Sequence, residues 1–409
     1  MTFSAVRDIE RRGYFYLCGF ALVSCLSMAA SNIFLGLAIA AALHRCVRQR
    51  PSLPGFMNVV GRPVIASFLV LMAVTLVSLV GAMDLAAGLR RAANHYLFWP
   101  AEFFAVLVFV RERRQVWRMA ALLALSLALN DVYVLFLSAR EGWTFGRFGG
   151  GMFYMAYGTA LLTGLPLLLM YLLRGNSVRG RRLAAAAFAL SLAGLLLNGT
   201  RTVWALALPL CFVGAYPCVK SKWRIVAGFA VALVAIGALF SAAPAVETRA
   251  QTIVDVQGEH SYQERLRVWT SAVHMWEDHP LTGVGFGSFK KAYQEHYILP
   301  EAKEPGLAHA HNNVIEMLAE CGISGALAFV AFWAVFSGQS LLRWWRTREL
   351  VHVVLFVAFN AVMLHGLTEF TWDRSITMKM FWMICGLAYA WIACGRSSAS
   401  GGDARSDER

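Results

Sequence analysis

The chain consists of apolar stretches, each about as long as a membrane-spanning helix, separated by polar segments that are mostly short. An apolar run of about 18 residues or more with few charges is typical of a helix that crosses a bilayer. Only 15% of the residues are charged and 58% are hydrophobic, whereas a soluble domain carries roughly 25% charged residues. The sequence therefore predicts an all-α polytopic membrane protein.

Twelve spans can be counted in the sequence, at 14–29, 30–44, 63–83, 93–110, 116–137, 152–173, 183–197, 202–219, 224–242, 323–341, 350–368 and 377–395. The first two form one apolar run with arginines at both ends. If both ends face the cytoplasm, this run is a hairpin, and we expect it to turn near Ser31 and Asn32.

The basic residues predict the orientation of these spans. With the N-terminus inside, every inward segment holds at least three Lys or Arg residues and no short outward loop holds more than two. This bias is the positive-inside rule. The net charge of +13 therefore marks orientation, and nucleic acid is not expected as a partner.

The chain then divides into regions. Residues 1–242 carry spans 1–9, residues 243–322 form one large outward loop, and residues 323–395 carry spans 10–12. The tail, residues 396–409, is rich in Ser, Gly and Asp and is expected to be disordered and cytoplasmic.

The outward loop carries most of the residues that suit chemistry, including six of the ten histidines. Ser261 and Glu264 have the spacing of a capping box, which predicts a helix start. His279 and Pro280 predict the end of that helix. A second helix is expected from about His311 to Cys321, with Gly322 ending it.

Three arginines are candidates for binding phosphate, because guanidinium is always charged and binds phosphate oxygens bidentately. Arg265 lies near the predicted helix start, where the helix dipole also favours anions. Arg201 lies in a very short turn at an outer mouth between two spans, and Arg147 lies among glycines at another. The alternatives are an ordinary surface ion pair for Arg265 and contact with lipid headgroups for Arg201.

His311 is the candidate general base, because a neutral imidazole accepts a proton near neutral pH. A histidine that only caps a helix or packs in a core is the alternative. His309 and His311 also suggest a metal, but two ligands without a third at a familiar spacing are a weak signal, and no metal or other cofactor is expected. His365 and Glu369 are lesser candidates at the outer end of a span, because ionisable groups there are costly unless they serve a function.

Five segments with these residues together resemble the O-antigen ligase and polymerase superfamily of bacterial envelope glycosyltransferases. They are residues 198–201, 261–269, 278–285, 311–316 and 365–369. Each motif is weak alone, but their order and the single large outward loop are specific. The ligase branch fits better because it has twelve spans with this loop.

The resemblance implies a glycosyltransferase in the bacterial inner membrane, with its site facing the periplasm and both termini in the cytoplasm. It implies an undecaprenyl diphosphate-linked polysaccharide as donor and lipid A-core as acceptor, joined by an inverting transfer without a metal. Arg265, Arg201 and Arg147 would bind the diphosphate, His311 would be the base, and His365 and Glu369 would lie on the acceptor side.

Two alternatives to a ligase stay open. A polymerase would extend the lipid-linked chain, and nothing in the sequence separates the two acceptors. A transporter of lipid-linked sugars would also have about twelve spans, but it should line a path with charged groups at mid-bilayer. Here the suspect charges gather at outer mouths, with Glu102 the main exception.

Overall fold

The computed structural model describes residues 3–48, 59–143, 146–242 and 260–403. Over these residues the chain forms helices joined by turns and contains no β-strand. The start of the predicted outward loop, residues 243–259, lies outside the described residues, as does the end of the predicted tail, residues 404–409.

The helices before the gap at 243–259 are α1 (Phe3–Val23), α2 (Met28–Arg48), α3 (Arg62–Ser78), α4 (Leu85–Ala93), α5 (Trp99–Phe109), α6 (Arg113–Arg140), α7 (Tyr154–Arg174), α8 (Val178–Asn198), α9 (Arg201–Ala215) and α10 (Lys222–Ala242). The helices after it are α11 (His260–Asp278), α12 (Phe289–Ala292), α13 (Asn313–Thr347), α14 (Leu350–His365) and α15 (Ser375–Asp403).

Eight helices in the described part of the chain are long and apolar enough to cross a membrane, and α14 is apolar but shorter. Each of the twelve predicted spans overlaps a helix. The prediction of an all-α polytopic membrane protein is therefore confirmed. Among the eight, α15 and α7 are the most buried, at 83% and 61% of their apolar windows, so these two helices form the centre of the bundle.

The first two spans are separate helices, but the predicted position of their turn was wrong. The break lies at residues 24–27, between α1 and α2, and Ser31 lies inside α2. The Ser27 hydroxyl accepts a hydrogen bond from the Ala30 N–H at 3.3 Å, so a serine at 27 caps the new helix. The Ser31 hydroxyl donates to the Met28 carbonyl at 2.9 Å, within the same helix.

The helix predicted from His311 to Cys321 begins later and continues further. Asn312 is its N-cap, because the Asn312 side-chain oxygen accepts from the N–H groups of Val314 and Ile315 at 2.9 and 3.1 Å. Helix α13 then runs through Gly322, which has a left-handed φ of 66° and forms a kink instead of an end. Helix α13 therefore connects the segment that carries His311 directly to the predicted span at 323–341.

Two further helix ends can be compared with the sequence predictions, and one of them agrees. Helix α11 ends at Asp278, just before His279 and Pro280, as predicted. Helix α15 continues to Asp403, and so takes up the first part of the segment predicted as a disordered tail.

Candidate active site

A cavity of about 170 Å³ lies at the N-terminal ends of α7 and α9 and beside α11. Arg147, Arg201, Arg265 and His311 all line this cavity. These are the three arginines and the histidine that the sequence analysis singled out. The fold thus brings together residues that are separated by up to about 160 positions in the chain.

Each arginine is held at the cavity by a different local structure. Arg201 is the first residue of α9, so the positive end of the helix dipole faces the same space. Arg147 donates a hydrogen bond to the Tyr154 hydroxyl at 3.2 Å and lies over the Tyr154 ring at 5.5 Å. Arg265 lies on the second turn of α11.

The pKa of Arg265 is lowered, in part because the charges of Arg201 and Arg147 lie nearby. Burial lowers this pKa, the positive charges of Arg201 and Arg147 lower it further, and the charge of Glu369 raises it. Like charges held together in a partly buried cavity are unfavourable unless an anion joins them. The arginine cluster is therefore a site that favours an anionic ligand.

Glu264 also lines the cavity, but it does not serve the role that the capping box predicted. The Glu264 carboxylate accepts from the backbone N–H groups of Lys303 and Glu304 at 3.0 and 3.1 Å and forms an ion pair with Arg267. Burial would raise the pKa of Glu264, but the hydrogen bonds from Lys303, Arg267 and Glu304 lower it. Glu264 thus fastens the segment at 303–304 to α11, and Arg265 remains directed at the cavity.

His311 lies beside a buried carboxylate. The Nδ1 atom of His311 is 3.1 Å from Oε2 of Glu369, whose side chain is 1% exposed. Arg374 donates from Nη2 to the other oxygen of Glu369 at 2.7 Å. A histidine and carboxylate in this contact form the pair that fixes the tautomer of a catalytic imidazole.

Glu369 is ionised over the whole neutral range. Burial alone would raise its pKa, but the hydrogen bond with His311 and the electrostatic interactions with His311, His309 and Arg374 together hold the pKa well below its usual value. An ionised Glu369 can only accept a hydrogen bond, so Nδ1 of His311 carries the proton that it donates to Glu369. The basic lone pair of His311 is then on Nε2.

His309 packs against the same carboxylate. The His309 and His311 rings lie edge to face with centroids 4.2 Å apart, and Nε2 of His309 is 3.9 Å from Glu369. Burial lowers the pKa of His309 to about 3, and the electrostatic interaction with the nearby His311 ring is the next cause. His309 is therefore neutral at physiological pH.

His309, His311 and Glu369 also have the geometry of a possible metal site, because their ligand atoms lie within 4.8 Å of one another. The sequence lacked a third ligand near the two histidines, and Glu369 supplies one from 58 residues away. However, the Arg374 guanidinium already contacts Glu369 at 2.7 Å and approaches Nε2 of His309 at 3.4 Å. A divalent ion would have to compete with this fixed cation, so the group fits an ion-pair cluster better than a metal site.

Neither residue predicted for the acceptor side lines the cavity. His365 is fully buried, and its Nδ1 atom contacts the Thr159 hydroxyl at 2.8 Å. Glu369 is buried against His311 and Arg374. A substrate in the cavity would meet His311 and not these two side chains, because both lie behind it.

Two functional candidates were missed from the sequence. Arg374 lies five residues after Glu369 in the loop between α14 and α15, and this short spacing is the signal that the sequence offered. Tyr154 lines the cavity as the first residue of α7, and nothing in its sequence context distinguishes it from other aromatic residues at the ends of spans.

Residues 186–330 match the family model described as O-antigen ligase. The matched segment extends from α8 into α13 and includes Arg201, Arg265 and His311, while Arg147 and Glu369 lie outside it. No curated protein matches the chain.

Proposed function

Because residues 186–330 match the O-antigen ligase family model, we propose that the chain is a ligase of the O-antigen ligase and polymerase superfamily. It transfers a polysaccharide from undecaprenyl diphosphate to a hydroxyl of lipid A-core. The observation that carries this proposal is the single cavity lined by Arg147, Arg201, Arg265 and His311. Such a cavity supplies both requirements of glycosyl transfer, which are a site for the leaving diphosphate and a base for the acceptor.

The three arginines bind and stabilise the diphosphate. Negative charge grows on the diphosphate as the glycosidic bond breaks, and fixed cations aimed at that charge lower the barrier. The start of α9 adds the positive end of a helix dipole beside Arg201. These charges do the work that a divalent ion does in other phosphate-releasing reactions, so the transfer is metal-independent.

His311 is the general base. Its Nε2 atom takes the proton from the acceptor hydroxyl while the acceptor oxygen forms a bond to the anomeric carbon. The bond from that carbon to the phosphate oxygen breaks, and undecaprenyl diphosphate leaves with the electron pair. Because one displacement occurs from the face opposite the leaving group, the configuration at the anomeric carbon inverts.

Glu369 supports the base and does not contact the substrate. Its contact with Nδ1 of His311 at 3.1 Å holds the ring and stabilises the imidazolium that forms during the transfer. Arg374, at 2.7 Å from the other oxygen, keeps this carboxylate ionised and in place.

The location of the cavity suits substrates that are both anchored in lipid. The cavity is formed by the ends of spans and by α11, at the side that the basic residues predict to be outside. A polyisoprenoid donor and a lipid A-core acceptor can both reach such a site from the outer leaflet of the inner membrane.

A reconstituted transfer assay tests the proposal. Purified protein is mixed with an undecaprenyl diphosphate-linked oligosaccharide and lipid A-core in the presence of a chelator. Arg265→Ala and His311→Ala are each expected to lower transfer by about 100-fold or more, because each removes a transition-state contact. Matched controls are Arg140→Ala and His296→Ala, which change exposed residues outside the cavity and should leave transfer unchanged.

Each outcome has a distinct meaning. Full transfer by both correctly inserted variants would remove the assigned mechanism, and a strict need for a divalent ion would remove the role of the arginines. If the oligosaccharide appears on a second lipid-linked chain instead of on lipid A-core, the protein is a polymerase.

A further inference from the structure

The backbone of Ala310 forms hydrogen bonds with side chains through both its N–H and its carbonyl. Its N–H donates to Oε2 of Glu316 at 2.6 Å, and its carbonyl accepts from Nε1 of Trp269 at 2.8 Å. Ala310 is fully buried and stands between His309 and His311. Two side chains from different helices thus fix the backbone immediately before the proposed base.

The conformation of His311 explains why its neighbour is held in this way. His311 has a φ of 52°, in the left-handed region, which a residue with a Cβ rarely adopts. Such a conformation persists only where the surrounding structure over-determines it. The bonds to Ala310 on one side and the Asn312 cap on the other supply that restraint.

Glu316 is fully buried beside an ion-pair network. Its Oε1 atom is 3.9 Å from Nη1 of Arg91, and the same nitrogen lies 2.7 Å from Oε2 of Glu320. The Arg91 guanidinium lies over the rings of Phe286 and Phe370 at 4.4 and 4.7 Å. A cation with these contacts compensates the neighbouring carboxylates, and complete burial leaves the Glu316 side chain little room to move.

Trp269 adds a connection that Glu316 does not provide. It lies on α11 four residues after Arg265, so it shares a face of the helix with that arginine. The indole of Trp269 therefore ties the helix that carries a diphosphate-binding residue to the segment that carries the base. This hydrogen bond therefore restrains the distance between Arg265 and His311.

We infer that Glu316 and Trp269 are positioning residues that fix His311 at the cavity by clamping the Ala310 peptide. This inference rests on the proposed function of His311 as the base. Neither residue needs to contact substrate, because both act through the backbone of Ala310. Loss of either bond should lower the rate of transfer and leave donor binding intact.

Trp269→Phe tests the clamp with little change in packing, because phenylalanine retains an aromatic ring but has no N–H donor. We expect kcat to fall by about tenfold or more, since small misplacement of a reacting group is costly. The KM for the lipid-linked donor should stay within about twofold, because the arginines are unchanged. The matched control is Trp276→Phe on the same helix, because Nε1 of Trp276 has no hydrogen-bond partner among the described residues. This control should leave kcat unchanged.

Glu316 is tested by two variants that differ only in hydrogen bonding. Glu316→Gln keeps an oxygen that can accept from the Ala310 N–H and should retain kcat within about threefold. Glu316→Leu has a similar volume but no acceptor, and it should lose kcat as Trp269→Phe does. Recovery by glutamine would not be expected if Glu316 served only as a buried charge.

The outcomes separate this inference from the proposed function. If His311→Ala is inactive while Trp269→Phe and Glu316→Leu both keep full kcat, the clamp is wrong and the base assignment stands. An increase in KM without a fall in kcat also overturns the clamp. If His311→Ala is active, both fail. Where Glu316→Leu does not fold, the pair of tryptophan variants decides the matter alone.

Discussion

The ring of His309 lies between two groups that donate hydrogen bonds. The backbone N–H of His311 approaches Nδ1 at 3.3 Å, and Nη2 of Arg374 approaches Nε2 at 3.4 Å. A neutral ring can accept only one of these bonds, and a protonated ring can accept neither. The local contacts therefore agree with the low pKa that burial gives this residue.

This arrangement predicts that the folded protein is sensitive to mild acid. Unfolded histidine takes up a proton below about pH 6.5, whereas folded His309 does so only near its pKa of about 3. The unfolded state binds more protons between these values, so the free energy of unfolding falls as pH drops, by about 1.4 kcal/mol per pH unit. Melting of the purified protein at pH 7.5 and pH 5 measures the effect.

The matched variants for this measurement are His309→Gln and His296→Gln. Glutamine at 309 cannot be protonated, so that variant should lose about 2 kcal/mol less than the unsubstituted protein between pH 6.5 and pH 5. The exposed His296 should make no such difference. Equal acid sensitivity in the His309→Gln variant would contradict the prediction. Glu369, with its lowered pKa, adds acid sensitivity only below about pH 4.5, outside this window.

At the scale of elements, the turn after α11 is fastened to the kink in α13. The N–H groups of Val284 and Gly285 donate to the carbonyls of Ala319 and Glu320 at 2.9 and 3.0 Å. Those carbonyls are available because the kink at Gly322 interrupts the regular helical pattern. The glycine-rich turn and the kink thus satisfy each other's backbone groups.

Gly283 is a position in this turn where a side chain does not fit unless the backbone shifts. Its φ is 64°, and a Cβ there would lie 2.4 Å from the carbonyl oxygen of Ala319 and the carbonyl carbon of Glu320. Gly283→Ala should destabilise the protein by about 3 kcal/mol or more, because backbone atoms must shift. Gly306→Ala is the control, since a Cβ there meets open space, and it should change stability by less than about 0.5 kcal/mol. Equal melting temperatures would show that the turn can move.

The sequence predicted most helices because hydrophobic length is a local property. The sequence prediction was wrong at two helix boundaries. Ser27 and not Ser31 opens α2, and Gly322 bends α13 without ending it. At Gly322 the outcome depends on the turn after α11, whose N–H groups pair with carbonyls next to the kink, and a local pattern does not contain that contact.

At the scale of the molecule, the cavity joins segments that only the fold can bring together. Guanidinium and imidazole chemistry selected Arg147, Arg201, Arg265 and His311 from the sequence, and all four line it. The sequence could not show that Glu369 faces His311, because their contact crosses 58 residues. It also gave no sign of the Ala310 clamp, whose parts are ordinary side chains until the helices pack.

The orientation of the whole bundle remains a prediction from the basic residues, and reporter fusions test it. Alkaline phosphatase fused after Gly142, at the end of α6, should be active because that end is expected outside. The same enzyme fused after Gly175, at the end of α7, should be inactive. The reverse pattern would place the cavity on the cytoplasmic side and end the proposed transfer.

Helix α13 connects the segment next to His311 to a predicted span without a break in the chain of helical residues other than the kink at Gly322. Its 35 residues would extend about 50 Å if straight. They begin directly after the Asn312 cap, and we expect them to end at the opposite face of the bilayer. The height of the imidazole above the hydrocarbon is therefore tied to the depth at which this rod sits. Bilayer thickness, through hydrophobic mismatch, acts on the distance between His311 and the lipid headgroups.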